Sequence, residues 1–335
     1  MKMFNINNRR YIGSKARMLN FIDEVIKKEK IEFSSFFDLF GGTGIVGDYF
    51  NNQKTKVYVN DLLKSNYLSY LAWFGNDKID KKKLEDIINK YNSLKNLKDN
   101  YFSINFGDTY FSKNNCKRIG YIREDIENKY LNNEINTRER AILITSLLYA
   151  MDKIANTVGH YDAYRKNGDL DKKLELCMLD LKSTTNNKNN KVFNEDSNEL
   201  VKNIKADVVY IDPPYNSRQY SDAYHLLENV ATWEKQEVFG VAKKMKRNGI
   251  KSKYCSVSAP LAFKDLIENI NAKYIIVSYN NMANKGNDRS NARISDTQIL
   301  DTLKSKGTVK TFSELFKAFT TGKSEHLDNE ERLVA

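Results

Sequence analysis

Ser34-Ser35-Phe36-Phe37-Asp38-Leu39-Phe40-Gly41-Gly42-Thr43-Gly44-Ile45-Val46-Gly47 sets an aromatic-rich apolar run against a glycine turn and the first residues of a helix. A short apolar run bounded by glycines reads as a buried strand followed by a tight turn. Lys56-Val57-Tyr58-Val59 forms a second short strand that stops at Asn60-Asp61. Strand, glycine turn, helix and a strand ending in an acid open a nucleotide-binding α/β sheet. Three later runs extend it: Lys191-Val192-Phe193, which leads to Asn194-Glu195-Asp196; Asp207-Val208-Val209-Tyr210-Ile211; and Tyr274-Ile275-Ile276-Val277-Ser278-Tyr279. Nearly continuous apolar strands separated by long helical connections predict a mainly parallel sheet with helices on both faces.

Between the second and third strands the pattern becomes helical and charged. Residues 138–155 carry Ala141, Ile142, Ile144, Leu147, Leu148, Met151 and Ile154 near a 3.6-residue period, which predicts a helix with a core face. A polar loop, Asn156 to Lys166, follows it. Thr184 to Lys191 has almost no apolar residue, and that composition predicts a flexible surface loop.

The 335 residues include 54 Lys and Arg against 43 Asp and Glu, a formal net charge of +11, which favours a polyanionic partner. The abundance of Lys, Asn, Ile and Tyr also fits AT-rich coding DNA, so part of that charge reflects composition. No apolar run approaches the roughly 20 residues of a membrane span, and Met1 to Arg10 has no signal-like apolar segment, so the expected compartment is the cytoplasm. Cys116, Cys177 and Cys255 lack metal-ligand spacing, and His160, His225 and His326 lie far apart, so neither a metal site nor a catalytic triad is expected.

Asp212-Pro213-Pro214-Tyr215, at the end of an apolar strand, carries the chemistry. The paired prolines stiffen the turn and remove backbone donors, leaving carbonyls as fixed acceptors. An acid, a rigid carbonyl and an aromatic ring suit the exocyclic amine of a flat base. The glycine turn lacks GxGxxG spacing, which counts against a dinucleotide pyrophosphate.

Taken together, these motifs resemble those of the Dam-like DNA adenine methyltransferases, the D12 class of the alpha group. Arg10-Tyr11-Ile12-Gly13-Ser14-Lys15 resembles the N-terminal element, Asp38 to Gly44 the loop for S-adenosylmethionine (SAM), and Asn60-Asp61 the ribose acid. Asp212 to Tyr215 resembles the catalytic motif, while Tyr224-His225-Leu226-Leu227 and Val277-Ser278-Tyr279-Asn280 resemble later pocket walls. Leu39 stands where the family commonly has proline.

The resemblance implies a Rossmann-like class I methyltransferase fold. Residues 1–61 and 191–335 would form the catalytic domain, and 62–190 a helical target-recognition insertion. It implies SAM at Tyr11, Lys15, Asp38, Phe40, Gly42, Gly44, Asp61, Asp196 and Asp212, and catalysis at Asp212, Pro213, Pro214 and Tyr215. Double-stranded DNA would be met by Arg10, His160, Tyr161, Tyr164, Arg165 and Lys166, with a cognate restriction endonuclease as a candidate partner. Methylation of cytosine N4, methylation of RNA adenine, and a non-catalytic DNA-binding role stay open at this level.

Overall fold

Among the described residues β2 (Ser35–Asp38) is the third strand of a seven-stranded sheet, and its side chains divide between two cores. The computed structural model describes residues 2–52, 54–182, 185–280, 292–316 and 329–334. The other strands of the sheet are β3 (Lys56–Asn60), β5 (Lys191–Phe193), β6 (Lys205–Ile211), β7 (Asn271–Asn280), β8 (Thr311–Phe316) and β9 (Asn329–Val334). Their order is β5-β3-β2-β6-β7-β9-β8, and all run parallel except β9, which is antiparallel to both neighbours. A smaller parallel pair joins β1 (Met3–Phe4) to β4 (Met178–Leu179).

Successive strand residues point to opposite faces, so Phe36 and Phe37 serve different cores. Phe36, Val57, Val208, Tyr210 and Ile276 share one cluster with α1 (Leu19–Lys28), α2 (Ile45–Phe50) and α3 (Lys64–Phe74). Phe37, Val209, Ile211 and Val277 share the other with α11 (Ala259–Asn269) and α12 (Asp296–Lys304). Burying each phenylalanine contributes roughly 1.5–3 kcal/mol. This mixed α/β sandwich, with a mainly parallel sheet between helical layers, is the expected fold class.

The first cluster does not stop at the sheet. It continues through α4 (Lys81–Ser93), α5 (Tyr101–Phe106), α6 (Lys113–Leu131) and α7 (Thr137–Ile154). The periodic helix thus starts and ends one residue earlier than its pattern suggests. It is also buried on nearly every side, polar Arg138, Thr145 and Asp152 included, because α3 and α6 pack against it. α8 (Ser197–Leu200), α9 (Tyr220–Ala223) and α10 (His225–Thr232) complete the helices. Among the described residues no helix is long and apolar enough to cross a membrane.

The polar stretch after residue 184 leaves Thr185, Lys188 and Asn189 exposed, as a surface loop does, but one side chain turns inward; Thr184 itself lies outside the described residues. Asn187 is fully buried, donates to the carbonyls of Trp73 and Gly75 at 2.9 and 3.0 Å, and accepts from Asn51. Asn190 accepts from Val57 N–H at 2.9 Å beside the edge of β3. Asparagines here satisfy backbone groups that apolar residues would leave unpaired, so low hydrophobicity does not mean an outer surface.

Candidate active site

The strand order reverses between β2 and β6, and the crevice beyond the carboxyl ends at such a point is where open α/β sheets bind ligands. Gly42 and Gly44 adopt left-handed φ of 53° and 80°, a conformation that costs a side-chain-bearing residue, and Gly44 caps α2. The turn is held from three sides. Asp61 accepts from Gly42 N–H at 3.0 Å, Tyr70 donates to the Gly42 carbonyl at 2.9 Å, and Asp38 accepts from Gly47 N–H at 3.0 Å. Burial pushes the Asp38 carboxyl up to about 7 and raises that of Asp61, against the hydrogen bonds that Asp61 accepts from Leu63 and Gly42.

One cavity brings the expected cofactor residues together. Tyr11, Lys15, Asp38, Phe40, Gly42, Asp61, Asp196 and Asp212 all line it, and Gly44 sits just behind it at the start of α2. The Lys15 ammonium reaches Asp212 at 3.1 Å and lies 5.5 Å from the centre of the Tyr215 ring. The lysine read as a cofactor residue therefore contacts the acid and the ring of the catalytic motif. Pro214 lines the same cavity, and Tyr215 meets Tyr279 edge-on at 5.7 Å. Asp196 caps α8 by accepting from Asn198 N–H at 3.0 Å.

Buried side chains and a returning segment hold the walls of the cavity together. Asn60, fully buried, donates to the carbonyls of Leu39 and Glu195 and so ties three strand ends together. Tyr11 is stacked at 4.7 Å on Tyr224 and at 5.3 Å on Tyr220, which lines the cavity. The segment after α10 folds back to supply Ile250, Ser252, Lys253 and Tyr254, and Ser252 exchanges hydrogen bonds with Gln219 at 2.8 and 3.0 Å. The basic run 243–253 is thus a wall of the site as well as a charged segment.

The 156–166 loop is more ordered than a polar stretch suggests. Asn156 donates to the Arg165 carbonyl at 2.8 Å, closing the loop on itself. Tyr161, expected to meet the duplex, is 2% exposed and donates to Asp152 at 2.7 Å; its ring belongs to the core and offers no stacking surface. Tyr164 packs edge-on against Tyr110 and His160 lies 3.5 Å from Asp162, both partly buried, while Arg10, Arg165 and Lys166 are exposed. Arg9, beside the expected Arg10, is buried against Asp152 at 3.6 Å and donates to Asn66 at 2.9 Å.

Residues 11–290 match the family model of the D12 class N6 adenine-specific DNA methyltransferases. The chain belongs to this family. It is 41% identical over 286 residues to modification methylase StsI of Streptococcus sanguinis, covering 81% of this chain and 44% of that protein. Type II methyltransferase M.FokI of Planomicrobium okeanokoites is 34% identical, with 95% and 50% covered. Type II methyltransferase M.NlaIII of Neisseria lactamica is also 34% identical, with 81% and 83% covered. The chain therefore spans about half the length of the first two relatives and most of the third. Methyltransferases of this D12 class depend on SAM.

Proposed function

We propose that this chain transfers a methyl group from SAM to N6 of an adenine extruded from duplex DNA, as the modification arm of a restriction-modification system with a cognate endonuclease. The observation that carries the proposal is that Asp212 and Pro214 of the Asp212-Pro213-Pro214-Tyr215 motif line the same cavity as the glycine turn, where Lys15 pairs with Asp212 at 3.1 Å.

The residues present fit SAM. A Cβ on Gly42 would come 2.9 Å from the Tyr11 ring, so only bare backbone leaves the cradle open there. Asp61 suits a ribose diol, and the carboxylates of Asp38, Asp196 and Asp212 suit the cofactor's amino group and positive charge, while Phe40 and Tyr254, edge-on at 5.1 Å, supply apolar walls. SAM supplies a methyl group activated by a cationic sulfur.

The adenine amine is a weak nucleophile because its lone pair is delocalised into the ring. Asp212 and the Pro213 carbonyl accept its two hydrogens and favour a more tetrahedral nitrogen, whose lone pair then faces the methyl group. Lys15 fixes the Asp212 carboxylate by its ion pair at 3.1 Å, and Tyr215 stacks on the extruded base. Holding both reactants in one cavity lowers the barrier further. Residues 62–190 serve as the recognition insertion, with Arg10, His160, Tyr164, Arg165 and Lys166 turned toward DNA.

Expression in a host lacking adenine methylation, followed by nucleoside analysis of its DNA, tests this reading. N6-methyladenine with the native chain and none with Asp212→Ala is the expected result. Tyr215→Phe should keep part of the activity and Tyr215→Ala lose it, because the ring face does the stacking. N4-methylcytosine, or modification confined to RNA, would overturn the substrate assignment.

A further inference from the structure

We infer that the hairpin at Phe239–Lys244 is an apolar wedge that enters duplex DNA beside the active site and holds open the gap left by the extruded base. The inference rests on the proposed function and extends it to the residues that separate the target from its partner strand.

The hairpin is closed by paired backbone hydrogen bonds between Phe239 and Lys244, at 2.8 and 2.9 Å. Its turn uses left-handed φ at Gly240 (70°) and Lys243 (53°), and a Cβ on Gly240 would meet nothing within 4 Å. Val241 at its tip is 81% exposed and Phe239 47%. Two apolar side chains on so small a projection offer a partner an apolar contact.

The other side of the hairpin is fixed. Buried Tyr110 donates to the Ala242 carbonyl at 2.9 Å. Lys244 bridges Asp162 at 3.0 Å and Asp222 at 3.8 Å, and Arg247 pairs with Asp222. Asp162 belongs to the 156–166 loop, while Asp222 lies in α9, seven residues beyond Tyr215. The hairpin is therefore braced against both the loop turned toward DNA and the segment leaving the catalytic motif. A few residues further on, Ile250 and Ser252 line the active-site cavity itself.

Charge identifies the occupant. Between Glu237 and Asp265 the chain contains no acid; Lys244 and Arg247 are held by Asp162 and Asp222, and Lys243, Lys246, Lys251 and Lys253 add further cations along the same segment. Exposed apolar side chains set among cations at a fixed position match nucleic acid, where the cations meet phosphates and the apolar tip replaces base stacking. Extruding a base costs unpairing and unstacking, and filling the gap offsets part of that cost.

The test compares Val241→Ser, Phe239→Ser and the double variant with the native chain on two duplexes, once the methylated sequence has been mapped. In one duplex the target adenine is paired; in the other it faces an abasic site and is already loosened. The variants should lose roughly tenfold or more in kcat/KM on the paired duplex and regain most of it on the abasic one, with unchanged thermal unfolding. Equal rates of native chain and variants on paired DNA would overturn the wedge. So would an equal loss on both duplexes, which marks simple phosphate or surface contact. A change confined to self-association, measured by sedimentation, would assign the tip to a protein partner and likewise overturn it. If the native chain methylates neither duplex nor any other DNA, the proposed function itself fails and the wedge with it.

Discussion

His225 sits fully buried beneath the 156–166 loop, with Nε2 2.9 Å from the Tyr161 carbonyl. Burial holds its pKa down to about 4, from 6.5, and the nearby charges of Lys244 and Arg247 push the same way. A neutral ring donating Nε2–H to that carbonyl explains the geometry. Below pH 6.5 the unfolded chain takes up a proton that the folded chain refuses, so this residue's contribution to stability falls as pH drops toward 4. Over the whole window the loss is about 3 kcal/mol. Buried Asp38, held up to about 7, runs the opposite way, because its folded-state stabilisation is lost as pH rises from 3.8 to 7. These two contributions oppose one another, so the informative quantity is a difference. Native chain minus His225→Gln, by urea denaturation, should become more favourable by about 3 kcal/mol between pH 4 and 7; a difference independent of pH would exclude a neutral buried imidazole. At this scale the sequence was readable where residues that line one cavity lie in a run, as in Gly41 to Thr43. It was unreadable where a residue's role depends on burial: Tyr161 and Arg165 share one polar loop, yet only one of them is core.

Elements were legible when hydrophobic period or a glycine turn marked them, and hidden when their ends are secured from elsewhere. Leu63 stands in the capping position before α3, and its side chain cannot cap a helix. The first amides of the helix are satisfied by carboxylates from other elements. Asp61 accepts from Leu63 N–H at 2.8 Å, and buried Glu228 of α10 accepts from Lys64 and Ser65 at 2.9 and 2.7 Å. Negative charge at a helix N-terminus is favourable there, and it ties α3, α10 and the end of β3 into one unit. Nothing near residue 64 announces this, since the partner lies 164 positions away. Glu228→Ala should cost about 1.5–3 kcal/mol, because two buried donors lose a charged acceptor, and Glu228→Gln should cost less. Equal stability of the alanine variant and the native chain in denaturant titrations would remove this capping role. β1 and β4 were missed for the same reason: two residues each, they are strands only because they find one another.

For the whole molecule, five of the sheet's seven strands follow from patterns along the chain while β8 and β9 carry no such mark, whereas the division at residues 62 and 190 concerns how tightly the parts are joined. One apolar cluster runs from Phe36 and Val57 on the sheet, through Tyr70 and Phe74 of α3, to Leu147 and Ile144 of α7 and Ile122 of α6. Crossing it are the buried Arg9–Asp152 pair and the β1–β4 ladder, which fasten the chain's start to the insertion. Separating the two parts would expose that apolar surface and leave a charge unpaired, so neither part gains by unfolding alone. Thermal and urea unfolding should therefore follow one transition, coincident by tryptophan fluorescence and far-ultraviolet circular dichroism. The fluorescence reports on both regions, because Trp73 lies in α3 at the sheet and Trp233 just after α10, beside Arg123 of α6. Asp152→Asn weakens the fastening and should lower both probes' midpoints together. Two resolved transitions in the native chain would instead make the recognition insertion an autonomous unit, able to turn on DNA independently of the catalytic sheet.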